Sequence, residues 1–443
     1  KYIVFVERAM DLLKDNGLLG YIVPLKFMKV GAGQELRRLI LTRKTLEAIT
    51  AFGACKVFPG KSNYTCLLIV KKAEHETFRY NEVSNLNQWK LADKNILPTD
   101  TKSYDEISES TWPLFPEQLR GAYDTILSNS TTLLAITGED NIFNGIQTSA
   151  NKVYVFQPKS ERNGIYTFEK DGQDWKVEKE VTRPYFQTST GDDGLNTYRT
   201  FKPNACVIFP YRKNDKDKLE MIPLDDIKHD YPKLYKYFLA HKNILNAASR
   251  DIKPVPTTAN EWHRYGRHQS LDACNLPEKI IVGVLSAGDK YAVDSCSTFV
   301  SSGGTAGYCM IALPEDSPYS IYYLQAILNC KYLEWISSLY GEIFRGGFIA
   351  RGTKVLKQLP IRKIDFENND ERLAHDSIDD LQKQLIQMGD EIDAAHGNKR
   401  KLTILQRQFE LSKQQLADFI MHLYGMEQYD SIIPIIKEQY AAD

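Results

Sequence analysis

The sequence lacks the marks of several large classes of protein. Its seven cysteines are scattered and include no C-x-x-C pair, which argues against a disulfide framework or a zinc module and favours a reducing, cytoplasmic setting. No apolar run approaches the roughly 18 residues that a membrane span needs, and no signal peptide is visible. The sequence also contains no G-x-G-x-x-G loop, Walker loop, H-E-x-x-H motif or cluster of metal ligands, so we predict no metal site in this chain.

Charge is nearly balanced overall, at −1, but it is unevenly distributed. Residues 141–365 hold 30 Lys and Arg against 25 Asp and Glu, whereas residues 366–443 hold 8 against 15. The 42% hydrophobic and 26% charged residues are ordinary for a globular chain of two to four domains. A mildly basic middle beside an acidic tail is compatible with a polyanion as the partner of the middle segment.

Residues 1–75 alternate between helix and strand patterns. The chain opens inside an amphipathic helix, and the apolar face of that helix is predicted to carry Phe5, Ala9, Leu12 and Leu13. Apolar strands are predicted at 18–23, 45–52 and 64–70. Such strands are typical of the interior of an α/β sheet, yet so few elements cannot cover both faces of one. We therefore expect part of a domain, with an exposed apolar helix face and an unpaired strand edge. Its structure should be the least native-like part of the chain.

The remainder divides by composition into three further segments. Residues 76–135 are irregular and polar, which predicts a connector with one or two short helices. Residues 136–365 are rich in Tyr, Phe and Gly and contain short alternating stretches, which predict an α/β domain with inserted helices. Residues 366–443 carry two apolar seams joined by a polar turn, which predict an antiparallel helical hairpin. The first seam is Ile378, Leu381, Leu385, Met388 and Ile392, and the second is Leu405, Phe409, Leu416, Phe419 and Leu423.

Two motifs in residues 1–75 are specific enough to compare with a family. YIVFVERAMDLLKDNGLLGYIVP (2–24) fits the pattern Y-x-x-F-x-E-x-A-x-x-L-L-K-x-x-G-x-L-x-x-x-V-P, and KVFPGKSNYTCLLIVKK (56–72) supplies a V-F-P element before a strand. Together they resemble the downstream half of the catalytic domain of adenine-N6 DNA methyltransferases, above all the TaqI-like group and type IIG restriction–modification enzymes. The resemblance implies a partial Rossmann-like methyltransferase sheet in residues 1–75.

The resemblance also implies a chemistry for two phenylalanines. A base inside a duplex must be turned out before its exocyclic amine can be reached, and an aromatic face then replaces its lost stacking. The family places such a face at Phe58 and places Phe5 beside the cofactor, S-adenosylmethionine; the plainer alternative for each is a core residue. The family's glycine-bearing cofactor loop and its NPPY tetrapeptide do not occur here. We therefore assign no catalytic residue, and we expect a parent enzyme to supply cofactor binding and methylation upstream.

The middle segment resembles the target-recognition domain of the same enzymes. The matching stretches are IFNGIQTSANKVYVF (142–156), WHRYGRHQS (262–270), LPEKIIVGVLS (276–286), YAVDSCSTFVSSGGT (291–305) and FRGGFIARGTKVLKQLPI (344–361). Independently of the family, the last stretch combines cations for phosphates with glycines that permit close backbone approach. We predict phosphate contacts from Arg345, Arg351, Lys354 and Lys357, and base-edge or phosphate contacts from Arg264, Arg267 and His268. Each of these could instead be a solvated surface residue.

The tail resembles the helical spacer of type I specificity subunits and type IIG enzymes. Its net charge of −7 disfavours contact with DNA. We expect the tail instead to pack on protein, to set the spacing between domains, or to contact a second copy or a partner subunit. The sequence therefore predicts the double-stranded-DNA-recognition part of a bacterial, cytoplasmic restriction–modification adenine-N6 methyltransferase, with endonuclease activity possible upstream. The alternative is a stand-alone DNA specificity or adaptor subunit, which would not carry residues 1–75.

Overall fold

The computed structural model describes residues 2–53, 55–58, 60–61, 63–83, 85–93, 99–188, 194–256, 258, 260–303, 307–344, 346–395 and 397–440. Their buried apolar side chains form three cores. An N-terminal core runs from Val6 to Trp112, and a second core runs from Ile146 to Met310. The third and largest core collects residues from Phe115 to Tyr440 and so joins the middle of the chain to its tail. The architecture is mixed α/β.

The N-terminal core belongs to a five-stranded sheet. Its elements in chain order are α1 (Tyr2–Leu12), β1 (Leu18–Pro24), α2 (Gln34–Arg43), β2 (Leu46–Ala51), β3 (Thr65–Lys71), β4 (Thr77–Glu82), α3 (Leu86–Leu91) and β5 (Asp100–Ser103). The strand order is β1-β3-β2-β4-β5, in which β3 is antiparallel to β1 and β2 while β2 is parallel to β4. The three strands predicted from apolar runs are all present.

The burial of α1 and β1 differs from the prediction. Val6 and Met10 of α1 face the core, whereas Phe5 and Leu12 of the predicted face are each 67% exposed. Strand β1 lies at the edge of the sheet rather than in its interior, and in it only Val23 is fully buried. The expected exposed apolar face and strand edge are therefore present, but the helix turns its other apolar stripe inward.

Residues 76–135 supply secondary structure to two cores instead of acting only as a connector. Strands β4 and β5 extend the N-terminal sheet because alternate residues of β4, Phe78 and Tyr80, point into its core. Trp112 completes that core, and Phe115 begins the next one. In the structure the N-terminal sheet therefore continues beyond the expected boundary at residue 75.

The middle of the chain contains many short elements. The first group is α4 (Arg120–Ser128), β6 (Ser130–Thr132), α5 (Leu133–Thr137), β7 (Ile142–Asn144), α6 (Asn151–Tyr154), β8 (Val155–Phe156), β9 (Ser160–Arg162), β10 (Ile165–Lys170), β11 (Gln173–Glu178), β12 (Thr182–Phe186), β13 (Ala205–Ile208), β14 (Tyr211–Lys213), β15 (Leu219–Met221), α7 (Leu224–Asp230), α8 (Pro232–Ala240) and α9 (Lys242–Leu245). The second group is β16 (Lys279–Gly283), β17 (Leu285–Ser286), β18 (Tyr291–Asp294), β19 (Phe299–Val300), β20 (Tyr308–Ile311), α10 (Ile321–Leu328), α11 (Lys331–Tyr340), β21 (Ile343–Phe344), β22 (Phe348–Ala350), α12 (Thr353–Leu356) and β23 (Pro360–Arg362).

One antiparallel sheet, in the order β18-β16-β20-β7, lies between the two larger cores; we call it the central sheet. Successive residues of β16 point to opposite faces, so Ile280 enters one core and Ile281 the other. Burial on both faces explains why this strand is apolar throughout after Lys279. The Lys279 ammonium is itself fully buried and lies 2.7 Å from the Asp294 carboxylate on the neighbouring strand.

The tail consists of α13 (Asn369–Ala394), α14 (Lys399–Tyr424) and the short α15 (Ile436–Gln439). The two long helices pack on each other and also on the middle domain, where Ile378 and Leu385 are fully buried in the largest core. A bond of 3.0 Å from Gln382 Nε2 to Thr197 O adds a polar contact to the same interface. Within the described ranges, no helix has both the length and the apolar character that crossing a membrane would require.

Candidate nucleic-acid interface

Several segments from the stretches that resemble the family's target-recognition domain lie at one end of the central sheet. Strands β7 and β16 finish there, and β20 begins there, because Gly283 lies opposite Tyr308 and Asn144 lies opposite Cys309. The loops that start at this end are 145–150, 284–290 and 301–303. We call it the loop end of the central sheet. Antiparallel pairing thus brings together stretches that are more than 100 residues apart in sequence.

Arg250 fastens the WHRYGRHQS segment to the loop end. Its guanidinium donates to the backbone oxygens of Leu245 at 2.5 Å, Thr148 at 2.8 Å, Trp262 at 2.9 Å and Arg264 at 2.7 Å. One cation therefore holds three chain segments in a fixed arrangement, because charged donors form the stronger hydrogen bonds to carbonyl groups.

Backbone contacts complete this arrangement. Gly266 N donates to Thr148 O at 3.0 Å, and Arg267 N donates to Gln147 O at 3.0 Å. A Cβ atom at Gly266 would collide with the side chain of Ser149, so the close approach of the two loops requires glycine here. Trp262 and Tyr265, which alternate with the predicted recognition residues, are buried in the second core and anchor the segment from below.

The three predicted recognition residues of this segment differ in their surroundings. Arg264 lies 3.0 Å from the carboxylate of Glu261, and Arg267 forms an ion pair with Asp251. The hydrogen bond from Arg267 lowers the pKa of the Asp251 carboxyl below its usual value. His268 is exposed. A phosphate or a base could thus reach His268 directly, whereas at either arginine it would have to replace a carboxylate.

Strands β21 and β22 form a hairpin that also belongs to this region. Phe344 lies opposite Phe348, and β22 pairs on its other side with β17. Arg351, just after the hairpin, is fully buried: it donates to Ser286 Oγ at 2.7 Å and forms an ion pair with Glu334. We therefore take Arg351 to position β17 and do not retain it as a phosphate contact.

The remaining predicted cations of this stretch are Lys354, Lys357 and Arg345, and two of them lie within the described residues. Lys354 is exposed on α12, and Lys357 forms an ion pair with Glu139. Arg345 lies outside the described residues. Lys354 is thus the predicted phosphate contact whose side chain is presented to solvent.

Phe58 lies in the loop between β2 and β3 and is 44% exposed. Its backbone oxygen accepts a hydrogen bond from Lys61 N at 3.3 Å. This loop faces the β21–β22 hairpin across a groove of about 520 Å³, which we call the interdomain groove. The residues that line it are Lys56, Gly60, Lys61, Asn63 and Tyr64 on the N-terminal side and Leu285, Phe344 and Phe348 on the other. The structure therefore brings the Phe58 loop close to the β21–β22 hairpin, which we call the recognition hairpin after its predicted role.

Lys29 marks a second contact between the N-terminal sheet and the rest of the protein. Its ammonium donates to Ser338 O at 2.5 Å. Burial lowers the Lys29 pKa to about 8, although the charges of Glu82 and Glu342 act in the opposite direction. Burial likewise raises the pKa of Glu82, and the charge of Lys29 opposes that change. A partly compensated charge pair thus lies beside a cavity of about 320 Å³ between the two units.

The surroundings of Phe5 do not form a complete cofactor site. The exposed side of α1 presents Val4, Phe5 and Leu12, which can pack against a ring but cannot bind the charged groups of an amino acid. The residues of this chain therefore do not by themselves fit S-adenosylmethionine, and we derive no step through it. Among the residues that the structure describes, no cluster of His, Cys, Asp and Glu could hold a metal ion.

Several residues of the interface were not predicted from the sequence. Arg250 lies outside every motif, and its role depends on carbonyl groups that are up to 102 residues away. Lys56 and Lys61 flank Phe58 and could have been noticed as cations beside it. Phe348 follows a Gly-Gly pair, a signal for a tight turn that would present the next side chain.

Comparison with known proteins identifies relatives over the whole chain. Residues 1–58 match the model of the Eco57I restriction-modification methylase family. RM.Eco57I of Escherichia coli, a type II restriction enzyme and methyltransferase, is 42% identical over 441 residues, which cover 99% of this chain and 44% of that protein. The type II methyltransferase M.BstVI of Geobacillus stearothermophilus is 23% identical over 281 residues, or 59% of this chain and 45% of that protein.

The fold is shared with a solved restriction–modification enzyme. The type IIL enzyme MmeI, whose structure was determined in complex with DNA, matches with a TM-score of 0.50 at 8% identity. The match covers 99% of this chain and 52% of that one. This chain thus spans about half the length of RM.Eco57I and of MmeI.

Proposed function

We propose that this chain, a homologue of type II restriction–modification methyltransferases along its whole length, is the DNA-reading and adenine-positioning part of an adenine-N6 DNA methyltransferase. The observation that carries the proposal is the interdomain groove, in which the Phe58 loop faces the recognition hairpin. A duplex at this groove would place its bases before the loop end of the central sheet. His268, Arg264 and Arg267 then read base edges or hold phosphates, and Lys354 and Lys357 hold the backbone.

The chemistry follows from what the target base requires. An adenine turned out of the duplex loses its stacking, and the exposed ring of Phe58 is available to replace it, a gain of about 1–3 kcal/mol. S-adenosylmethionine would supply the methyl group in the complete enzyme, and the residues that would hold its charged groups are not among those of this chain; the exposed ring of Phe5 would serve only to pack beside it. Because this chain has no NPPY tetrapeptide, we expect it to bind DNA without methylating it, and any endonuclease activity resides elsewhere in the parent protein.

The acidic tail has a supporting role in this proposal. Its packing on the largest core favours positioning of the recognition domain, and its outer surface is left for a second copy or a partner subunit. We expect the complete protein to act in the cytoplasm, where its DNA is.

A salt titration tests DNA binding by this chain. The affinity for a duplex, measured by fluorescence anisotropy between about 50 and about 200 mM salt, should fall linearly on a double-logarithmic plot. Lys56→Gln and Lys61→Gln should each reduce the slope by about 1, because each removes one phosphate contact. Lys399→Gln, at the exposed first residue of α14, is the matched control and should leave the slope unchanged. Absent binding at low salt, or binding that ignores salt, would contradict the proposal.

The alternative is a stand-alone specificity or adaptor subunit. The match of residues 1–58 to a methylase family favours the methyltransferase. Sequencing the gene upstream of this segment decides between the two, since a methyltransferase requires an NPPY-type tetrapeptide there and an adaptor does not.

A further inference from the structure

Phe348 is an exposed aromatic residue in a well-supported position. It is the first residue of β22, it lines the interdomain groove, and 42% of it is exposed. The next residue, Ile349, is fully buried and pairs with Ser286 of β17. Phe344 stands opposite Phe348 on β21, so both side chains lie on the same face of the hairpin. The Phe348 side chain therefore projects from an anchored strand, not from a loose loop.

The turn before Phe348 is braced from behind by the end of the tail. Gly346 N donates to Tyr440 O at 2.9 Å. Gly347 adopts a φ of +75°, and a Cβ atom there would lie 2.8 Å from the Cα of Lys437. The hairpin thus packs directly on the backbone of α15, and this contact opposes displacement of Phe348 along the groove.

The charge of the groove indicates what faces Phe348. Among the described residues that line the groove, the charged ones are Lys56 and Lys61, and both are cations. They lie on the opposite wall, in the loop that carries Phe58. A polyanion with apolar interior surfaces, which is what a DNA base step offers, is complementary to an aromatic ring between two walls of this kind.

We propose that Phe348 is a wedge that enters the duplex at the target step and fills the space left when the target base is turned out. This inference rests on the proposed function and extends it: Phe58 receives the extruded base, and Phe348 takes its place in the stack. Unstacking a base step is unfavourable, and an inserted apolar side chain restores part of the lost stacking. Phe348 is accordingly a positioning residue and makes no contact with the methyl donor.

The test uses the complete protein that contains this chain and a duplex with 2-aminopurine at the target position. The target site is first defined by sequencing the methylated DNA of cells that express the protein. With the parent protein, 2-aminopurine fluorescence should rise on binding, as it does when a base leaves the stack. Phe348→Ala should lower the ratio of extruded to stacked target base by about tenfold at saturating protein, and thereby reduce this rise, because about one stacking contact is lost. Phe348→Leu should give an intermediate rise, and Leu411→Ala, an exposed apolar control in α14, should give the parental rise.

A mismatched duplex separates a wedge from a merely structural residue. A target base that is already unpaired needs no wedge, so the Ala and parent proteins should give similar rises with a mismatch at that position. A full rise for Phe348→Ala on the paired duplex would overturn the wedge alone. No rise for the parent protein would overturn base extrusion and the wedge with it. If Phe348→Ala strongly lowers the thermal midpoint, the Phe348→Leu protein is used in its place. A full rise for Phe348→Leu on the paired duplex would then overturn the wedge.

Discussion

Arg250 should control both the stability and the sequence discrimination of the recognition domain. Its guanidinium is held by four backbone oxygens from three segments, and Arg250→Met removes these bonds while retaining an apolar stem. At a net of about 1 kcal/mol for each bond, the free energy of unfolding should fall by about 4 kcal/mol. The carbonyl groups of Trp262 and Arg264 would lose this donor, and we expect the segment that carries His268 to be held less firmly by its remaining bonds.

Chemical denaturation and DNA titration measure the two effects of Arg250→Met. We expect affinity for the target site to fall towards the affinity for unrelated DNA, which should change little because the phosphate contacts remain. Arg38→Met is the matched control, since the Arg38 ion pair with Glu35 is exposed and worth about 0–1 kcal/mol. A loss of stability below about 1 kcal/mol, together with unchanged discrimination, would refute this account of Arg250.

Two further predictions concern the contacts between units. Burial lowers the Lys29 pKa from its usual value of 10.5 to about 8. The unfolded chain therefore binds more protons between these two pH values, and the free energy of unfolding should rise with pH there. Lys29→Met should abolish that rise in denaturation curves, and an identical pH dependence in both proteins would contradict it. Gly347→Ala should lower the thermal midpoint more than the control Gly172→Ala. Both glycines have a positive φ, but only a Cβ atom at residue 347 would meet backbone atoms. Equal midpoints for the two variants would show that α15 does not support the hairpin.

Local patterns were sufficient where one periodicity decides the structure. The three N-terminal strands follow from apolar runs bounded by turn residues, and Ile378 and Leu385 of the predicted seam are fully buried. Helix α1 shows the limit of this reasoning. It carries two apolar stripes, one with Val6 and one with Phe5, and only the neighbouring elements determine which stripe is buried.

Buried charges could not be predicted from the sequence because their partners are remote. Arg351 has the composition and neighbours of a phosphate contact, yet Glu334 and Ser286 bind it in the interior. Lys279 is likewise placed beside Asp294 only by the register of β16 and β18. A cation in a glycine-rich stretch is a candidate for DNA only when no carboxylate from another element reaches it first.

The tail contributes to the proposed site more directly than its spacer-like sequence suggests. Its long helices are part of the largest core, and its last described residue, Tyr440, accepts a hydrogen bond from Gly346 of the recognition hairpin. Tyr440 also lies beside Gly53, just before the Phe58 loop, with its hydroxyl 3.7 Å from the position of a Cβ on that glycine. Tyr440 therefore contacts the hairpin that supplies one wall of the interdomain groove and the residue that precedes the loop of the other wall. We expect the docking of α15 to influence the width of this groove, so that in the proposed function the acidic tail would help to set the separation of Phe58 from Phe348.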